Sequence, residues 1–332
     1  MISKLTLRFV TLGLSALFGF GSAVGAARGL HAKGVGAQGQ GRIVDDPAFP
    51  PHPWLTAGRT FQVQLRHSPG ITRDHAGKDL FGVGLRFAGQ GEDSPLDLIL
   101  NTGECNHFWD AWTFLSLLRQ ASPEGFKNFL QSDPLALENA RGAFRRAPES
   151  FSKLRYYSQN PMWFKADDGA VRLVKFRLVA ADLTDETGIP QGEDLAAPWQ
   201  GKRLDGEERP RDYLNAEWSE RLHSGPIEYR VQVQIHDKDP SDPGMHNSPK
   251  NRWDPDTHPW LDMAIITLDS PLVGEDLERL QFRVGRLPQG IEIVEAGGMD
   301  CPYSIPWMRD RIYPAAQLGR RIGYALRGLP SS

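Results

Sequence analysis

At 332 residues, 40% hydrophobic and 10% aromatic, the chain is long enough for one large domain or two ordinary ones, and its composition excludes extensive disorder. The formal charge of -3, from 38 basic and 41 acidic residues interspersed along the chain, provides no basic face of the kind that phosphate backbones require, so nucleic acid is not an expected partner. The two cysteines, Cys105 and Cys301, lack the CxxC or Cys/His spacing of a zinc site; a pairing between them and a reduced setting explain them equally well.

In chain order, the first element is an apolar segment. Lys4 and Arg8 precede "FVTLGLSALFGFGSAVGAA", which has the charge, apolar run and small residues of an export signal. The same run also suits a helix packed on a protein or membrane surface, or a spanning helix weakened by its four glycines. The following "HAKGVGAQGQG" is too glycine-rich for regular helix and reads as an extended, tightly turning stretch. Strand character then appears at 60–68, where alternation is clean, at 80–88 and at 96–100.

From Cys105 to about Arg146 the pattern is helical, with "SPEGFKNFLQ" opened by Ser-Pro-Glu and "DPLALENARGAFRRA" by Asp-Pro. A second strand set is predicted at 170–180, 227–236, 261–269 and 280–287, interrupted by a helix at 211–223 and by the proline-rich polar connection 236–260. Seven or eight strands in two groups predict an α+β fold built on a closed or nearly closed antiparallel barrel, because closure removes edges. The last segment predicts a helix that starts after Pro306, breaks at Tyr313-Pro314 and resumes with many arginines.

His31 is one of nine histidines, but its flanking glycines allow backbone to approach a flat ligand closely while the imidazole points at it. Four separated motifs then resemble, in order, those of the haem catalase superfamily. "RGLHAKGVGAQG" resembles the segment of the distal histidine, which implies that role for His31 and a propionate contact for Arg28. "VQLRHS" implies a propionate-binding Arg66 and a Ser68 that hydrogen-bonds the histidine, and "DLILNTGECNHF" implies the distal asparagine at Asn101. "RDRIYPAAQLGR" resembles the proximal signature, implying Tyr313 as iron ligand, Arg309 as its charge partner four residues earlier, and Arg320 as a further propionate arginine.

The resemblance spans roughly residues 28–325 and implies an eight-stranded barrel of the catalase type with inserted helices, a C-terminal proximal helix and haem b as cofactor. It organises the chain as an apolar helix or signal-like segment over 1–27 and one haem-binding domain over 28–332. Cleavage at Ala26 or Ala27 would leave Arg28 nearly terminal, so an uncleaved helix is expected, with a cytoplasmic or membrane-associated protein; a signal would instead export it.

Departures from the pattern bear on the reaction. The chain is shorter than full-length catalases and resembles the compact catalase-related proteins, which include lipid hydroperoxide-converting enzymes. Cys105 and Asn106 stand where bulky apolar groups usually restrict the distal channel, with Phe108 and Phe114 as candidates to compensate. His67 replaces a common phenylalanine and Gln317 a histidine, both weighing against efficient hydrogen peroxide dismutation. Leu30, apolar as in catalases, does not support specific allene oxide formation. The expected function is a haem enzyme acting on organic, fatty-acid hydroperoxides as peroxidase, isomerase or lyase, with peripheral membrane contact through residues 1–27 and a homo-oligomer both compatible with it. The alternatives are a compact catalase or peroxidase using hydrogen peroxide, and a haem- or lipid-binding protein without turnover.

Overall fold

The computed structural model of the chain describes residues 2–89, 95–237 and 248–328, so residues 238–247 of the expected polar connection lie outside the described residues. A 24-residue helix, α1 (Ile2–Gly25), leads into eight strands: β1 (Val35–Ile43), β2 (Thr60–Pro69), β3 (Phe81–Phe87), β4 (Leu96–Thr102), β5 (Tyr156–Tyr157), β6 (Val171–Ala180), β7 (Ile227–Asp237) and β8 (Leu261–Leu272). Each strand pairs antiparallel with its successor, and β8 pairs with β1, closing an up-and-down barrel. A short strand, Met162–Lys165, extends the sheet beside β6 and carries Ile291–Glu292 on its far edge.

Alternation decides which side of the barrel each residue faces. Phe61, Val63 and Leu65 of β2, Val83, Leu85 and Phe87 of β3, and Leu96, Leu98 and Leu100 of β4 are buried in one core cluster. His67 follows the same parity and belongs to this core: its Nε2 lies 2.8 Å from the Tyr229 hydroxyl and its ring stacks on Phe151. It therefore faces away from its neighbours Arg66 and Ser68, and the significance drawn from a histidine at this position does not hold.

Between β4 and β5 lie α2 (Ala111–Arg119), α3 (Pro123–Gln131) and α4 (Pro134–Ala143). Asp110, Ser122 and Asp133 cap them by accepting hydrogen bonds from first-turn backbone N–H groups, and the prolines fall at the tolerated first position. Between β6 and β7 come α5 (Gly192–Ala196) and α6 (Tyr213–Ser224), the latter burying Trp218 and Leu222 in the barrel core. After β8 follow α7 (Gly274–Arg279) and the long α8 (Ser304–Leu326).

Three expectations change. The glycine-rich stretch after His31 forms the regular strand β1, because Gly36, Gly39 and Gly41 sit where a Cβ would strike neighbouring strands or side chains. The stretch 280–287 is not a strand: the Arg283 N–H and the Arg286 guanidinium bind the buried Asp97 carboxylate, and a turn joins 283 to 286. Finally, α8 begins at Ser304 and runs unbroken through Pro314, despite the hydrogen bond a proline removes.

Helix α1 lies along α8 with small residues between them. A Cβ on Gly319 would run into the Gly19 carbonyl, and one on Gly323 into that of Ala23. Leu7 and Leu14 are buried against Met299, Ile305, Met308 and Ile312, while Leu5, Phe9, Leu12, Leu17, Phe20 and Val24 are exposed. Ser3–Gly25 is the one helix among the described residues long and apolar enough to cross a membrane.

Gly319→Leu should separate these helices and destabilise the fold by about 1–3 kcal/mol, as overpacking does, lowering the midpoint of urea unfolding. Buried histidines predict acid sensitivity. Burial holds His67 at about 3, with the Arg66 charge adding to the effect, and His107 at about 4, both below their unfolded values, so each contributes stability above pH 6.5 that is lost as pH falls. Burial raises Asp79 to about 6, which acts in the opposite sense and offsets only one group. Urea titrations at pH 7.5 and 5 should show lower stability at pH 5, and His67→Phe should shrink the difference by about 1.4 kcal/mol per pH unit.

Candidate active site

The outer face of the barrel carries the residues left over by the core. On β2, β3 and β4 the register aligns Ser68, Gly82 and Asn101 in one cross-strand row, and Arg66, Gly84 and Ile99 in the next. The two glycines are slots. A Cβ at Gly82 would stand 2.6 Å from His31 Cε1 and 3.1 Å from Asn101 Oδ1, whereas one at Gly84 would run into the Phe282 ring.

His31 reaches the first slot from the segment between α1 and β1. Its backbone is in the left-handed region at φ +55°, its N–H donates to the Gly70 carbonyl at 2.9 Å, and its own carbonyl accepts from Arg66 at 3.0 Å. The Ser68 hydroxyl lies 3.1 Å from Nδ1, leaving Nε2 as the other ring nitrogen. Burial, together with the charges of Arg66 and Arg309, lowers the imidazole to about 4, so it is neutral at ordinary pH.

Opposite lies α8, where the i, i+4 spacing brings Arg309 onto Tyr313. Arg309 Nε and a terminal nitrogen donate to the phenol oxygen at 3.0 and 2.9 Å. A double donation of this kind favours negative charge on that oxygen. The Arg309 charge also reaches His31 and helps to lower its imidazole.

The three arginines expected at the cofactor edge differ. Arg66 and Arg320 are 5% and 2% exposed, and Arg66 Nε and two nitrogens of Arg320 have no hydrogen-bond partner among the described residues. Burial and repulsion from Arg28 pull them down to about 9 and about 10. Arg28 is already occupied: it donates to Glu278 Oε2 at 2.9 Å and to the carbonyls of Leu277, Glu278 and Leu280. The Tyr324 hydroxyl donates to the same Glu278 oxygen at 3.0 Å. Thus Arg28 clamps α7 to the segment carrying His31.

Other expected positions lie elsewhere. Phe108 and Phe114 pack on each other and on the α1–α8 cluster, and Asn106 is buried with its backbone bound to Pro249 and Asn139. Cys105 and Cys301 are both free. Gln317 donates to the Phe282 carbonyl at 2.9 Å, holding the ring that fills the Gly84 slot. One participant is absent from sequence reasoning. Gln159, at φ +59°, donates to the Gly103 carbonyl at 3.0 Å and offers its oxygen to Asn101 Nδ2 at 3.4 Å. Its only sequence signal is the polar "SQNP" turn between two strand fragments.

A haem fits these residues. The unpartnered guanidinium atoms of Arg66 and Arg320 call for anions, and the Tyr313 oxygen facing Arg309 suits a cation ligand. No family model matches the chain. It is 36% identical over 311 residues to the allene oxide synthase-lipoxygenase protein of Plexaura homomalla, covering 92% of this chain and 29% of that protein. It is 26% identical to a catalase-related peroxidase of Mycolicibacterium paratuberculosis, covering 84% of this chain and 86% of the peroxidase. Among solved structures, a fungal catalase superposes with a TM-score of 0.71 at 18% identity, covering 92% of this chain and 61% of that one. The closed barrel is thus the fold of the catalases, and over most of its length the chain is similar to proteins described as an allene oxide synthase-lipoxygenase and a catalase-related peroxidase, spanning less than a third of the former.

Proposed function

We propose that the protein is a haem enzyme acting on organic hydroperoxides, fatty-acid hydroperoxides foremost, as a peroxidase, isomerase or lyase. The observation that carries this reading is His31 fixed by Ser68 in the Gly82 slot beside Asn101, together with the Arg309-bound phenol of Tyr313 on α8. Haem b would be held by Tyr313 on its iron and by Arg66 and Arg320 on its propionates, and would supply the redox chemistry that splits the O–O bond. The similarity to the Plexaura homomalla protein favours a lipid substrate.

Within the site, the chain's own work is proton handling and orientation. His31 Nε2 accepts the hydroperoxide proton and returns it to the departing oxygen. Ser68 fixes the ring by its contact at Nδ1, and Asn101, steadied by Gln159, hydrogen-bonds the peroxide oxygens. The exposed apolar side of α1 would rest on a membrane surface and bring a lipid substrate close. A second reading, a compact catalase or peroxidase using hydrogen peroxide, draws on the catalase-related peroxidase relative and on the apolar Leu30 before the histidine.

Oxygen evolution from hydrogen peroxide, measured beside consumption of a fatty-acid hydroperoxide, separates the readings. Rapid consumption of the lipid with little oxygen is expected; the reverse supports the second reading, and neither activity removes both. His31→Ala should lower turnover about 10²–10⁴-fold, the range of a lost general base. Tyr313→Phe should change or abolish the haem spectrum, and an unaltered spectrum would remove the proximal assignment. Activity should stay level down to about pH 5 and fall as His31 takes up a proton near pH 4.

A further inference from the structure

Helix α1 and the C-terminal half of α8 run side by side in the same direction. The backbone of Gly19 meets Gly319, that of Ala23 meets Gly323, and the Arg327 guanidinium donates to the Val24 carbonyl. Among the described residues six large apolar side chains of α1, from Leu5 to Val24, are exposed, Phe9 by 65% and Phe20 by 72%. On α8 the exposed Leu318, Ile322 and Leu326 follow one another at four-residue steps and so form one stripe. Ile322 and Leu326 stand three residues after Gly319 and Gly323, and Phe20 three before Ala23, which makes them surface neighbours of the joint. The two helices therefore present one apolar face.

The charge at its border has one sign. Helix α1 contains no acidic residue and α8 none after Asp310, whereas Lys4, Arg8, Arg311, Arg321 and Arg327 are all exposed on them. Asp300, beside Ser3 at the start of α1, leaves the cations in excess. Apolar side chains bordered by cations match a bilayer with anionic headgroups. A second copy is a poorer match, since an isologous contact would set this face on itself and bring cations to cations. Spanning would require α1 to leave α8, or to draw Arg309, Asp310 and Arg320 into hydrocarbon with it.

We infer that the α1–α8 face docks the protein flat on an anionic bilayer, with both helices in the headgroup boundary and neither crossing it. Exposure and charge carry the docking itself, and its purpose, supply of a lipid substrate, rests on the function proposed. Docking thus involves α8, the helix of Tyr313, as well as α1, and depends on headgroup charge. The exposed apolar run continues to Leu30, the residue before His31, so the docked side adjoins the segment that carries this histidine.

Flotation of the full-length holoprotein with vesicles of phosphatidylcholine, and of phosphatidylcholine mixed with phosphatidylglycerol, tests this. The wild type should float with the mixed vesicles, bind the neutral ones about tenfold or more weakly, and detach as salt rises. The pair Phe9→Glu and Phe20→Glu on α1, and the pair Leu318→Glu and Leu326→Glu on α8, should each weaken binding about tenfold or more, with the haem spectrum and the urea midpoint unchanged. Arg321→Glu should weaken binding to the mixed vesicles alone. Absent binding, binding that ignores headgroup charge, or binding that survives the α8 pair overturns the inference. So does resistance to alkaline carbonate, which marks a spanning α1, or a dimer in light scattering that Phe20→Glu dissolves, which puts a second copy on the face. A wild type that floats with the mixed vesicles yet consumes no fatty-acid hydroperoxide would instead count against the proposed function.

Discussion

The distal arrangement depends on a side chain that is not there. At position 82 the outer face of the barrel lacks even a methyl group, and the His31 ring occupies that space between Ser68 and Asn101. Everything else about the histidine follows from being seated there. The backbone must bend into the left-handed region to deliver the ring, so Gly70 and Arg66 hold it at both its N–H and its carbonyl. The ring is then both oriented and stripped of water, which leaves it neutral and able to take a proton. An imidazole free to rotate, or one half-protonated at neutral pH, could not serve as a reliable acceptor.

Charge is distributed unevenly around the same crevice. Arg28 and Glu278 neutralise each other and serve as a clasp, and Arg309 is directed at a phenol oxygen. Arg66 and Arg320 retain buried donors without a hydrogen-bond partner among the described residues, although the Glu278 carboxylate acts on both, and burial costs such groups dearly. The three arginines that looked equivalent in the sequence therefore divide into one engaged by Glu278 and the α7 carbonyls and two with unpaired nitrogens among the described residues.

The sequence showed the site more clearly than the scaffold. Arg309 meets Tyr313 through a local four-residue step, whereas His31, Ser68 and Asn101 lie in separate motifs that strand register brings together around Gly82. Strand membership was harder. Residues 280–287 alternate like a strand, yet Asp97 captures their backbone and Gly84 admits Phe282, contacts set by residues almost two hundred positions away. Conversely, the glycine-rich stretch of β1 read as extended and tightly turning but not as a strand, because the crowding that requires glycine there comes largely from β2 and β8. His67 illustrates the reverse error: strand parity, had it been applied to "LRHS", puts residues 66 and 68 on one side and 67 on the other.

The contact of Gly19 with Gly319 has a mechanical consequence. With no side chain between them, the two helices touch through their backbones, and such a joint transmits displacement more directly than one cushioned by rotatable side chains. Tyr313 lies between this joint and Arg309's end of α8. The tyrosine thus rides on a helix held by a backbone-to-backbone joint within two turns of it, where no side-chain rotation can take up a shift of α1.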